Sequence, residues 1–198
     1  SNRIVVEVSD VPSIGLEKRL SYLINYPHGC LEQTTSSVFP QLYLAALLEL
    51  SDKQKEEVSG NISAGLDRLR SFQTEDGGFA YWPGEMGENE WGTNYAGHFI
   101  IEAELAGFKL PNNLKERWVN FQQNRARNWT KSYNGQYVDN DELTQAYRLF
   151  TLALAKQPEL GAMNRLRESG NLSNKVRWRL AAAYALAGQA DAAGKIVK

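Results

Sequence analysis

The chain has one cysteine, two histidines and two methionines among its 198 residues. A single cysteine excludes an intrachain disulfide and any cysteine-rich zinc site, and leaves the redox compartment open. There is no excess of either charge: 22 Lys and Arg stand against 23 Asp and Glu, a net charge of −1. That balance gives no basic footprint for nucleic acid and no polybasic patch for a membrane surface. Long apolar runs are also missing. The longest, around Leu42 to Leu48 and Ala181 to Ala187, fall far short of the roughly 18 residues a membrane span needs. No secretion signal or lipidation motif opens the chain, and Ser1-Asn2 reads as a cloning remnant.

What is present has helical period. Leu16, Leu20, Leu23 and Ile24 share one stripe, and Leu42, Ala45, Ala46 and Leu50 another. Ile62, Leu66, Leu69 and Phe72 follow, then Phe99, Ala103 and Ala106, then Trp118 with Phe121. Tyr147, Phe150 and Leu154 precede Trp178, Ala181, Ala182 and Ala185. Each set obeys i, i+3, i+4 or i, i+7 spacing. About eight helices of about 10–18 residues are expected. Asn140 or Asp141 is the expected cap of the helix carrying Tyr147, and Ser173 of the one carrying Trp178. Gly77-Gly78, Pro83-Gly84, Pro111, Pro158 and Gly170-Asn171 mark the breaks. Only Arg3 to Val8 alternates as a strand, and one strand makes no sheet. The class is all-α.

Two repeat readings compete. Trp178 to Ile196 resembles one tetratricopeptide-like hairpin, but an array needs at least three repeats. The stretch FQTEDGGFAYW (Phe72 to Trp82) and the segment from Phe121 ending SYNGQY at Tyr137 both place a glycine turn and aromatics after an amphipathic helix. Each leads into another helix, at Thr93-Asn94-Tyr95-Ala96 and at Leu143-Thr144-Gln145-Ala146-Tyr147. That alternation favours an α/α toroid of paired antiparallel helices, probed below.

The densest chemistry lies in Tyr26 to Gln33, YPHGCLEQ. At a spacing of three in a first helical turn, the Cys30 and Gln33 side chains approach within ~5–6 Å. A thiolate at Cys30 can attack the Gln33 carboxamide, expel ammonia and leave an intramolecular thioester. That product is an activated acyl group, because a thiol leaves more readily than an alkoxide or an amine. Gly29 permits close approach at the cysteine, and Pro27 disfavours helix before the turn. The bland alternative is a buried cysteine acting as a small hydrophobe. Cys30 is expected at the N-terminus of a helix running from Leu31 towards Leu50, with Thr34, Thr35 and Ser36 in its early turns. Pro40 is expected to kink or restart that helix.

The run PHGCLEQTTSSVFPQLYLAAL resembles the thioester segment of the alpha-2-macroglobulin and complement superfamily, with its Gly-Cys-x-Glu-Gln core. The form Tyr-Pro-x-Gly-Cys-Leu-Glu-Gln-Thr-Thr-Ser followed by Phe-Pro is most similar to the bacterial alpha-2-macroglobulin branch. DGGFAYWPG…WGTNYA (Asp76 to Ala96) and LTQAYRLFTLAL (Leu143 to Leu154) extend the likeness, which covers most of the chain from about Val11. The resemblance implies an α/α toroid over residues 11–198, incomplete here, preceded by a strand remnant of a neighbouring domain at 1–10. It implies that Cys30 supplies the thioester sulfur and Gln33 the acyl carbon, with Gly29, Glu32 and Pro27 as motif support. Glu32 is read as a structural partner of the loop rather than an acid or base. Tyr26 is a candidate lid over the bond on the pattern of bacterial relatives, or ordinary surface packing.

The same resemblance implies a trap. Cleavage of a bait segment elsewhere in the full-length protein exposes the thioester, and a nucleophile on the attacking protease becomes covalently bound. Partners would then be proteases and other domains of the same polypeptide, with no nucleic acid, and a membrane only through a lipid anchor outside this stretch. The expected location is extracytoplasmic, periplasmic or envelope-associated. No cofactor, no metal and no enzymatic turnover are expected. Many complement proteins use a histidine before the Leu-Thr-Ala helix to redirect the acyl group to hydroxyls, and no histidine lies between Phe99 and Leu143. His98 reads as a satisfied helical histidine and His28 as loop filler, so no catalytic histidine is assigned. Direct attack by amines, lysine side chains above all, is the expected chemistry. Without sheltering domains the bond should hydrolyse or never form, leaving Cys30 a free thiol. Tyr81, Trp82, Trp91, Tyr95, Tyr133 and Tyr137 read as toroid core and rim.

Two enzymes compete with the trap. QTEDGGFAYW (Gln73 to Trp82) resembles the turns of terpene cyclases and prenyltransferases, but Asp139, Asn140 and Asp141 form no acid motif and no spare cysteine exists for zinc. A thiol hydrolase would need a histidine with an orienting partner in reach of Cys30.

Overall fold

The computed structural model describes residues 22–131 and 138–197. The strand expected over Arg3 to Val8 and the stripe from Leu16 to Leu20 lie outside these residues, as do Tyr133 and Tyr137. Among the described residues there are nine α-helices and no strand. Helix α1 spans Leu31–Val38, a 3-10 turn Pro40–Tyr43, α2 Leu44–Leu47, α3 Asp52–Phe72, α4 Glu90–Leu105 and α5 Leu114–Asn128. Helices α6 (Val138–Leu154), α7 (Leu160–Glu168), α8 (Asn174–Leu186) and α9 (Ala190–Val197) complete the series.

The packing order explains the shape. Helix α1 packs on α4, α4 on α6, and α6 on α8, so every second long element touches the next. The intervening helices lie outside this row: α3 covers α1, α5 packs against both α6 and α7, and α9 covers α8. An inner row of alternate helices backed by an outer row is the α/α toroid arrangement. Two apolar clusters fill the space between the rows. One is built on Leu31, Leu66, Phe72, Phe99 and Trp118, the other on Leu149, Met163, Leu166, Leu180 and Tyr184, and Val119 touches both.

Local chemistry sets the boundaries. Ser51 caps α3 through a capping box with Gln54, whose Oε1 accepts from the Ser51 N–H at 3.0 Å. Asn89 Oδ1 accepts from the Gly92 N–H at 2.7 Å and caps α4. The turn between them folds back through two isolated β-bridges, Gln73 to Phe79 and Ala80 to Glu88. It is tied to α4 where Thr93 Oγ1 accepts from the Phe79 N–H at 2.9 Å. Helix α5 lies close on α4 because position 97 has no side chain. A Cβ there would sit inside the Trp118 indole, whose Nε1–H donates to the Thr93 carbonyl at 2.9 Å.

Two sequence expectations need correction, on helix lengths and on the cap of α6, and the restart expected at Pro40 is found. Helix lengths run from 4 to 21 residues rather than from ten to eighteen. The helix running from Leu31 towards Leu50 is interrupted at Pro40, as its proline leads one to expect. Helix α1 ends at Val38, Pro40 opens a separate 3-10 turn as its first residue, and only Leu44–Leu47 continue as α-helix. Proline has no N–H to donate and its ring crowds the preceding turn, so the chain restarts there. Helix α6 begins at Val138, which puts Asn140 and Asp141 inside it. Asp141 Oδ1 instead accepts from the Trp129 indole at 3.1 Å. Ser173 does stand at the N-cap of α8.

Candidate functional site at the N-terminus of α1

Chain geometry brings Cys30 and Gln33 together. Cys30 is the N-cap of α1, with extended backbone (φ −72°, ψ 176°), and Gln33 is the third helical residue. The two form a capping box, a pairing usually made by Ser or Thr with Glu or Gln. Gln33 Oε1 accepts from the Cys30 N–H at 3.1 Å. The carboxamide is thereby folded back over the residue that carries the sulfur. Burial divides the pair: Cys30 is 3% exposed, whereas Gln33 is exposed to solvent. The cysteine is covered, and the carboxamide lies at the surface with its oxygen turned back onto the Cys30 N–H.

The loop before the helix is fixed at several points. Gly29 has φ +83°, a left-handed conformation that costs other L-residues strain. A Cβ at Gly29 would also collide with Gln33 Oε1. Pro27 is buried, while Tyr26 and His28 are exposed. The His28 carbonyl accepts from Thr34 Oγ1 at 3.3 Å. Buried Gln41 holds the loop from below: its Nε2 donates to the Asn25 carbonyl and the Ser37 carbonyl, both at 2.8 Å, and its Oε1 accepts from Asn61 at 3.2 Å.

Two further side chains close the site from distant elements. Arg68 of α3 donates from Nη2 to the Gly29 carbonyl at 2.9 Å and from Nε to Thr34 Oγ1 at 3.2 Å. Its guanidinium also lies 5.5 Å from the centroid of the Phe72 ring. Tyr81 reaches from the α3–α4 turn. Its carbonyl accepts from the Leu31 N–H at 3.0 Å, satisfying one of the free amides at the helix start. A hydrogen bond with Cys30 pushes the Tyr81 phenol above its ordinary value, with the Cys30 charge, burial and the Glu32 carboxylate acting in the same direction.

The remaining candidates fall apart from this cluster. Glu32 is exposed in the first turn, where a carboxylate suits the helix dipole. Tyr26 is 67% exposed. His98 packs edge-on against Phe39, 5.1 Å between ring centroids, at the far end of α1. Nine residues of chain at a helical rise place that about 13 Å from Cys30. There its Nδ1 is 3.0 Å from the Tyr147 hydroxyl and its Nε2 3.5 Å from Glu102. Burial lowers the His98 pKa, against the opposing pull of Glu102. Burial likewise raises Tyr147 to about 12.

Sequence reading missed Gln41, Arg68 and Tyr81. Tyr81 of the FAYW turn, which reads in the sequence as toroid core or rim, borders Cys30. Trp82 and Trp91 are about half exposed on the rim, and Tyr95 is half-buried. Arg68 had one available signal, a cation between the buried positions Leu66 and Leu69.

Comparison with known proteins agrees with this architecture. The chain is 30% identical over 173 residues to the alpha-2-macroglobulin of Escherichia coli K12, a match covering 81% of the chain and 10% of that protein. It is 32% identical over 122 residues to the alpha-2-macroglobulin of Thermotoga maritima, covering 61% of the chain and 7% of the relative. The chain thus spans about a tenth or less of the length of these relatives. Among solved structures, native Escherichia coli alpha-2-macroglobulin from domain MG7 to the C-terminus superposes with a TM-score of 0.75 at 26% identity, covering 94% of this chain and 30% of that one. Salmonella alpha-2-macroglobulin reacted with methylamine gives a TM-score of 0.77 at 29% identity, over 94% and 13% respectively. The model of the A-macroglobulin TED domain family matches residues 5–146. With the matched stretch covering more than half of its length and containing the whole Cys30–Gln33 cluster, the chain belongs to the A-macroglobulin TED domain family.

Proposed function

We propose that this domain carries an intramolecular Cys30–Gln33 thioester and serves as the covalent arm of an alpha-2-macroglobulin-type protease inhibitor. The observation that carries the reading is the reciprocal cap, with the Gln33 acyl oxygen 3.1 Å from the Cys30 N–H. Attack by the Cys30 sulfur on Gln33 Cδ forms the C–S bond. The C–N bond breaks, and ammonia leaves with the thiol proton. An incoming amine reverses the polarity of the step: its nitrogen bonds to Cδ, the Cδ–Sγ bond breaks, and the proton lost by the amine returns to sulfur.

Gln33 is exposed while Cys30 is buried, which suits attack from outside by a lysine side chain on a captured protein. Amines are the preferred nucleophiles on this reading, His98 being engaged with Tyr147 and Glu102 and His28 being an exposed residue of the loop. The Salmonella relative's reaction with methylamine supports that preference. Trypsin activation of the Escherichia coli relative supports a protease as the trigger and target. Exposed Tyr26 is then the candidate lid, available to cover the bond until the trap fires. The role belongs to an extracytoplasmic compartment, periplasmic or envelope-associated, and proceeds by single turnover rather than as an enzyme.

Intact mass of the whole natural protein tests the reading. The expected mass is short by one ammonia, and methylamine treatment should add one methylamine and release one titratable thiol at Cys30. A protein without the deficit and with a thiol titratable before any amine is added refutes it.

A further inference from the structure

The Gly29–Cys30 peptide unit has both ends engaged. Its carbonyl accepts from Arg68 Nη2 at 2.9 Å, and its N–H donates to Gln33 Oε1 at 3.1 Å. We propose that Arg68 is a positioning residue of the thioester chemistry, acting through this one peptide group on the oxygen that carries the developing negative charge. The inference rests on the thioester reading above.

The chemistry gives the contact its meaning. Both making and breaking the thioester pass through a tetrahedral carbon at Gln33 Cδ, with the negative charge on Oε1. The Cys30 N–H already donates to that oxygen at 3.1 Å, so this amide serves as the oxyanion donor. A guanidinium is permanently charged, and its bond to the peptide carbonyl draws electron density from the amide. Hydrogen bonds in series strengthen one another, so the Cys30 N–H becomes a better donor where charge appears. Arg68 also fixes the plane of the peptide. Its second bond, Nε to Thr34 Oγ1 at 3.2 Å, and its approach to the Phe72 ring hold the guanidinium in one orientation. The left-handed Gly29 then lets the carbonyl turn towards α3 while the N–H turns towards Gln33.

Stability alone would not require a charge here, which gives the test. The measured quantity is the rate of thiol release by methylamine in the intact natural protein, normalised to the fraction of molecules whose mass shows the ammonia deficit. Removing an entire oxyanion donor costs about 100-fold or more. Weakening one through its neighbour should cost about tenfold. Arg68→Met and Arg68→Gln are each expected to react about tenfold more slowly per intact bond. Arg68→Lys, which keeps the charge, should stay within about threefold of wild type. Ile62→Val in the buried face of α3 supplies a destabilised control with Arg68 in place, and should keep the wild-type rate. A folded Arg68 variant that never loses ammonia also supports the inference, because bond formation uses the same oxyanion. Wild-type rates in Arg68→Met and Arg68→Gln overturn it, and so does an equal slowing in Ile62→Val. If Arg68→Met fails to fold, the comparison of Gln with Lys decides. In each of these cases a normal wild-type deficit leaves the thioester reading standing. A wild-type protein with no deficit overturns both.

Discussion

Replacing Gly29 by alanine separates two costs that usually arrive together. The first is backbone strain. At φ +83°, an added Cβ costs about 1–2 kcal/mol. The second is the collision with Gln33 Oε1. Relieving it means swinging the carboxamide away and giving up the 3.1 Å bond to the Cys30 N–H, a loss of about 1 kcal/mol. The protein offers its own control. Gly84 has φ +84°, and a Cβ there meets nothing within 4 Å. Gly84→Ala therefore carries strain alone, and Gly29→Ala should exceed it by about 1 kcal/mol, for a total of about 2–3 kcal/mol. For a domain of this size that corresponds to a fall in Tm of about 4–12 °C. Thermal melting gives the stability difference, and intact mass gives the fraction of molecules that have lost ammonia. Only Gly29→Ala should lower that fraction. Equal melting losses in the two variants, or a full ammonia deficit in Gly29→Ala, would refute the claim that Gly29 is needed to seat Gln33 over Cys30.

Two further outcomes follow from buried charge. Arg148 is 2% exposed and donates to Gln122 Oε1 at 3.0 Å, to Gln145 Oε1 and to Glu90 Oε2 at 3.2 Å. Arg148→Met should cost about 2–4 kcal/mol in denaturant unfolding, because it strands the two buried carboxamide oxygens. The His98 pKa is lowered, first by burial and also by Arg179, with Glu102 opposing. The stability that goes with neutral His98 is present above its unfolded value of 6.5 and is lost as pH falls through the lower folded value. Tm should drop on acidification from pH 7 towards pH 5, and His98→Gln should flatten that part of the profile.

How much of this was legible in the sequence depended on range. Cys30 and Gln33 are three residues apart, and one helical turn is enough to make them meet, so the local pattern carried the site's core. The stripes at Ile62 to Phe72 and Tyr147 to Leu154 likewise became α3 and α6, where no proline interrupts the 3.6-residue period. The residues that finish the site come from far along the chain. Arg68 meets Gly29 across 39 positions, and Tyr81 meets Leu31 across 50. No local period encodes such a meeting, and a cation on a helix facing the core is ordinarily a snorkelling side chain. The restart at Pro40 was legible for a local reason too, because proline has no N–H to continue the helix. Leu42, Ala45, Ala46 and Leu50 keep helical spacing, yet only Leu44–Leu47 are α-helical.

The placement of these contacts has a consequence for how the site is held. Residues of the cysteine loop and α1 make only part of it. Arg68 ties the loop to α3, Tyr81 ties the helix start to the α3–α4 turn, and Gln41 ties the loop to the 3-10 turn and, through Asn61, to α3. A cysteine and a glutamine in a free peptide would share the same spacing, yet nothing would bury the sulfur or hold the Gly29–Cys30 peptide in the orientation that donates to Oε1. Isolated helices of eight residues are marginal in water, so α1 itself depends on burying Leu31, Thr34, Thr35 and Val38 against its neighbours. Reactivity at Gln33 is therefore a property of the packed inner row, and a change that loosens α1 from α3 should weaken the oxyanion donor before it unfolds the domain.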